Sequence, residues 1–244
     1  MPKFMIVGDS ITEGSTGDYT WRYRLWKHLK ANEVSEAHFV GPRQGLDDLT
    51  QAQANEDSEQ YADPDFDNHH LALWGQPFTA VMEGIGNYVT DCDPDVVVTL
   101  LGINDFAWYG ETAFQVEQDV RIYIAEARRK KANLGFVFGR VLPTQRGAQD
   151  AEFAARVNDF NTRLESLAQE LSLPFSPVVV AEDDDGFDPA LHTWDGTHPN
   201  SHGEIRIAAA FADALAGRFG LGSPYPRPLP EVTDVVKNVD TGAA

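Results

Sequence analysis

The chain of 244 residues is 42% hydrophobic and holds 14 Phe and 5 Trp, enough apolar material for one large α/β domain and unlike a disordered chain. A formal net charge of −19 sets it against nucleic acid and anionic membranes, both of which bind through clustered Lys and Arg. No apolar run approaches the roughly 20 residues of a membrane-spanning helix, and the lone Cys92 excludes an internal disulfide framework.

From the N-terminus, the apolar stretch around Phe4–Val7 is too short for a signal peptide, so a cytoplasmic location is expected. It reads instead as a first strand, followed by a helix at about Trp21–Lys30 and a strand at His38–Val40. Residues 43–70 are acidic and polar without a clear period, and are expected to form an excursion over the surface. A helix is predicted over Thr79–Thr90. The run Val96–Leu101 is uninterrupted and suits a central strand buried on both sides. Then come a helix at Thr112–Ala132, a strand at Gly135–Leu142, a helix at Asp150–Leu171, a strand at Phe175–Val180 and a last helix at Ser201–Phe219. The basic run Arg128-Arg129-Lys130-Lys131 closes one of these helices, where positive charge suits the dipole. Strand–helix alternation over this length predicts a mostly parallel sheet with helices on both faces. The domain is expected to span residues 1–220, with a Pro-rich tail over 221–244 that cannot continue a helix.

Ligands of open parallel sheets sit beyond the carboxyl ends of the strands. The first strand runs into Gly8-Asp9-Ser10-Ile11-Thr12, and the central one into Gly102-Ile103-Asn104-Asp105. Before the last helix comes Asp195-Gly196-Thr197-His198-Pro199. A hydroxyl becomes a useful nucleophile when an imidazole takes its proton, and a carboxylate holds that imidazole in the right tautomer. The oxyanion that forms needs donors, which the Ser10 N–H, a glycine N–H and the Asn104 amide can supply.

These three blocks, in this order, resemble those of the SGNH hydrolases, also called GDSL esterases and lipases, over about Phe4–Phe219. The resemblance implies a three-layer α/β/α sandwich of flavodoxin-like type, with no cofactor and no metal. It implies Ser10 as nucleophile, His198 as base, Asp195 as the residue orienting that base, and Asn104 with a glycine in the oxyanion hole. Gly41, Gly45, Gly75, Gly84 and Gly86 compete for the last place. Gly75 is favoured, because it precedes a helical segment and the interval to Asn104 then holds one helix and one strand. Absence of Gly-x-Ser-x-Gly argues against the larger α/β-hydrolase fold.

Trp74, Phe106, Trp108, Tyr109 and Trp194 adjoin the motifs and are candidates to line a substrate pocket. Asp9 and Asp105 are expected to cap their loops. His192, His198 and His202 lack the Glu of a zincin pattern, so no metal is expected there. His69 and His70 are expected at the surface without partners, and Glu182-Asp183-Asp184-Asp185-Gly186 as a solvated loop. The expected function is hydrolysis of small or medium acyl esters through an acyl-enzyme, with a small-molecule ester as substrate and an oligomeric state that the sequence does not give. An acyltransferase using an alcohol acceptor and a catalytically silent binding protein are the alternatives.

Overall fold

The computed structural model describes residues 1–32, 34, 36–50 and 57–232. In chain order it contains β1 (Lys3–Gly8), α1 (Ser10–Glu13), α2 (Thr20–Ala31), β2 (His38–Val40), β3 (Leu46–Asp47), β4 (Asp57–Ser58), β5 (Leu71–Ala72) and α3 (Ile85–Cys92). There follow β6 (Val96–Leu100), α4 (Ile103–Ala107), α5 (Ala113–Lys130), β7 (Gly135–Gly139), α6 (Gln145–Gln149), α7 (Ala151–Leu171), β8 (Val178–Ala181), α8 (Pro189–His192) and α9 (Ser201–Ala214).

The main sheet is parallel, with order β2-β1-β6-β7-β8, and β5 pairs with the carboxyl end of β1. Every residue of β6 and β7 is buried, as strands covered on both faces require. Helices α2 and α9 pack together, joined by the stacked rings of Trp21 and Phe211 and a buried Arg24–Glu204 ion pair at 3.1 Å. In the other layer α5 packs against both α3 and α7. The order places a topological switch between β1 and β6, so the crevice opens where the Ser10 and Asn104 segments leave the sheet.

Several expectations change in detail. The helix predicted over Thr79–Thr90 is broken into a 3₁₀ turn at Phe78–Ala80 and α3. The strand predicted to reach Leu142 stops at Gly139, because the Arg140 and Val141 N–H groups donate to side chains, Asp183 at 2.7 Å and Asn161 at 2.9 Å. The strand predicted from Phe175 starts at Val178; Phe175 is exposed, and Ser176 is held by Arg128. The final helix changes to a π-helical turn over Leu215–Phe219.

The excursion over 43–70 is less superficial than its composition suggests. Leu46, Tyr61, Phe66 and His70 are buried within it. His70 is a correction: its Nδ1 accepts from Ala72 N–H at 3.0 Å and its Nε2 lies 2.8 Å from the Gly45 carbonyl. Burial holds this imidazole well below the usual histidine range. His69 is partly exposed but pairs with Asp67 at 3.3 Å. The acidic loop at 182–186 is not wholly solvated either, since Asp183 is buried and caps the end of β7. The described part of the tail lies back on the domain, with Tyr225 stacked on His28 and Arg227 paired with Asp213 at 2.6 Å.

Candidate active site

Three strand ends build the site. After β1 the chain turns at once into α1, where Asp9 Oδ1 accepts from Ile11 N–H at 3.0 Å. Gly8 is required by close approach, since a Cβ there would lie 2.1 Å from Thr12 Oγ1. This tight turn lifts Ser10 to the rim. Burial pushes the Asp9 carboxyl up to about 7, against the pull of the Ile11 N–H and of His198.

After β8 and α8, Asp195 folds a short loop around itself. Its Oδ1 accepts from the Thr197 and His198 N–H groups at 2.9 and 2.7 Å, leaving Oδ2 2.6 Å from His198 Nδ1. His198 Nε2 in turn lies 2.9 Å from Ser10 Oγ. Burial would raise the Asp195 carboxyl, but the imidazole and the two N–H groups outweigh it and hold it below its ordinary value. A carboxylate kept ionised in this position can fix the imidazole tautomer and stabilise an imidazolium.

Asn104 sits on α4 directly after β6, its amide 3.3 Å from the Gln76 carbonyl. Gln76 reaches back to the Gly8 carbonyl at 2.7 Å, so the 74–76 loop is tied to both flanking strand ends. Gly75 holds φ +76°, a left-handed conformation that favours glycine. Neither Ser10 N–H nor Gly75 N–H has a hydrogen-bond partner among the described residues. Of the competing glycines, Gly75 alone lines the cleft at Ser10; Gly41 packs on the His70 backbone and Gly86 lies in α3.

The cleft has a volume of about 700 Å³. Trp74, Trp108 and Tyr109 line it as expected, and Trp108 and Tyr109 stand exposed at its mouth. Phe106 is a correction: it points into the core against Phe160, because α4 turns that face inward. Trp194 does not line the cleft but stacks on His198, with ring centroids 5.4 Å apart. His192 is engaged away from the cleft: its Nδ1 accepts from Asp188 N–H and its Nε2 lies 2.9 Å from Arg206 Nε.

Sequence reasoning missed Glu13 and the wall formed by Thr144, Arg146 and Phe153. Glu13 is fully buried, accepts from Trp74 N–H at 2.5 Å and pairs with Arg43 at 3.3 Å. Burial pushes its carboxyl up to about 7 despite Arg43. Thr144 and Arg146 follow β7, and the strand-end rule that located the other segments points to them as well.

With this geometry in place the comparisons decide the family. The model of the GDSL-like Lipase/Acylhydrolase family matches residues 6–204. The chain belongs to that family. It is therefore an ester hydrolase of the SGNH type on a three-layer α/β/α sandwich. No curated protein sequence matches it. Among solved structures it is similar to a carbohydrate esterase family 3 protein from Talaromyces cellulolyticus, at 25% identity and TM-score 0.73, covering 91% of this chain and 100% of that one. An acetyl esterase carrying a serine-to-alanine mutation, with an acetate ion, matches at 24% identity and TM-score 0.72, over 89% and 97% of the two chains. A family 3 carbohydrate esterase of Clostridium thermocellum matches at 21% and 0.68, over 91% and 99%.

Proposed function

We propose that the esterase works through an acyl-enzyme on Ser10, with acetyl groups on a carbohydrate or a similar neutral alcohol as the substrate class. The observation that carries this reading is the continuous chain Ser10 Oγ to His198 Nε2 at 2.9 Å and His198 Nδ1 to Asp195 at 2.6 Å. His198 takes the Ser10 proton as Oγ attacks the ester carbonyl, and gives it to the departing alkoxide; Asp195 holds the imidazolium that forms between. Water then repeats the sequence on the acyl-enzyme, returning Ser10 and releasing the acid. The Ser10 N–H, Gly75 N–H and Asn104 amide are the donors for the oxyanion.

The open, aromatic mouth at Trp108 and Tyr109 suits the apolar face of a sugar ring, and the similar solved structures include enzymes named carbohydrate and acetyl esterases. An alcohol can resolve the same acyl-enzyme, which is the acyltransferase alternative. A series of p-nitrophenyl esters from acetate to laurate, followed by acetylated sugars with and without an alcohol acceptor, tests both. The reading expects preference for acetate and release of free acid. A preference for long chains would contradict the substrate class, and transfer to the alcohol would contradict hydrolysis.

A further inference from the structure

Asp105, Glu111 and Asp119 converge beside the cleft, each with a carboxylate oxygen within 4.8 Å of the others'. They come from α4, the loop after it and α5, and two of the three are buried. Asp105 is fully buried: its Oδ1 accepts from Phe78 N–H at 3.0 Å, while Oδ2 is without a partner. Glu111 Oε2 is likewise buried and unpartnered, although a side-chain hydrogen bond joins Glu111 to Asp119. The charges acting on these acids are other acids, Glu111 and Asp9 on Asp105 and Asp119 on Glu111. Buried carboxylates ordinarily find Arg, Lys or a metal.

We propose that Asp105, Glu111 and Asp119 bind one calcium-type divalent cation that fixes the segment bearing Trp108 and Tyr109. Oxygens no more than 4.8 Å apart can share one Ca²⁺ at about 2.3–2.6 Å, and a buried carboxylate site suits it better than Mg²⁺, which dehydrates reluctantly and keeps its waters. The donor set is all oxygen, which disfavours zinc. Asp105 and Glu111 bracket residues 106–110, and their backbones are already linked by Glu111 N–H to the Asp105 carbonyl at 2.9 Å. A cation held between them and α5 would clamp both ends of that segment and steady Asn104, one residue before Asp105. The ion is structural and takes no part in the acyl transfer.

The test uses the whole protein, stripped with EDTA and exchanged into metal-free buffer. Calorimetric titration with CaCl₂ should show one ion per chain, and Ca²⁺ should raise the melting temperature more than Mg²⁺ at equal concentration. Asp119→Asn and, as a milder change in the loop, Glu111→Gln should each lose that rise; both keep side-chain shape and remove one charge. A wild-type protein that neither takes up Ca²⁺ nor shifts its melting temperature would overturn the proposal, and would mean that shared protons hold the cluster. Variants that keep the full shift would overturn it too, placing the ion elsewhere, and an equal or larger rise with Mg²⁺ would overturn the identity of the ion.

Discussion

Trp74 lays its indole over the His198 imidazole, with ring centroids 4.5 Å apart and 23° between the planes. An aromatic face attracts a cation by about 0.5–2 kcal/mol, and in the proposed mechanism the imidazole becomes a cation as Ser10 attacks. The stack therefore favours the transition state over the resting enzyme. Trp74→Leu should lower kcat by roughly 2- to 30-fold, the range that energy converts to, with folding intact. Steady-state kinetics on a p-nitrophenyl ester read this; an unchanged kcat with a raised KM would make Trp74 a wall of the pocket only.

Glu13 acts on the same stack by holding the Trp74 backbone. Glu13→Ala leaves that N–H without its buried acceptor and frees the 74–76 loop. A shift of about 1 Å at such a site can cost about 10²-fold in rate. Glu13→Gln, which can still accept from Trp74 N–H, should keep most of the activity. Equal loss in both variants would show that the charge, rather than the position of Trp74, matters.

In the proposed mechanism the Asn104 amide faces charge that exists only during reaction. Asn104→Ala should reduce kcat by about 10²–10³, or roughly 3–4 kcal/mol, and change KM little. A normal kcat with a raised KM would assign Asn104 to ground-state binding.

Asp9 gives stability a pH dependence of definite sign. Its carboxyl sits at about 7 in the fold against 3.8 in the reference state, so between these values the folded chain holds a proton the unfolded chain has lost. That contribution is full below about 3.8 and is lost as the pH rises to about 7. Asp9→Asn can keep the cap on α1 without ionising. Urea midpoints should therefore move in favour of the variant between about pH 4 and about pH 7. A gap between the two proteins that stays constant over this range would place the Asp9 pKa at its ordinary value.

The layers, the sheet and the three motif-bearing loops were legible because they rest on local signals: a continuous Val96–Leu100 run, helical periods, and strand ends that carry reactive side chains. The position of Gly75 at the cleft was reachable from chain layout alone. Glu13, Gln76 and the Asp105–Glu111–Asp119 cluster were not, since each depends on segments that meet only after folding. Phe106 and His70 show the same limit from the other side. Neighbours in sequence of a site residue, or of a polar loop, turn inward when the helix or strand beneath them does.

The central claim is that Ser10 carries the acyl group and His198 moves its proton. Mixing the protein with p-nitrophenyl acetate, quenching in acid within the first turnover and mapping the adduct by mass spectrometry tests it most directly. One acetyl group should appear on the peptide that contains Ser10, with little in His198→Ala and none in Ser10→Ala, and turnover should fall with it. An acetyl group on another residue, or normal turnover by Ser10→Ala, would contradict the account.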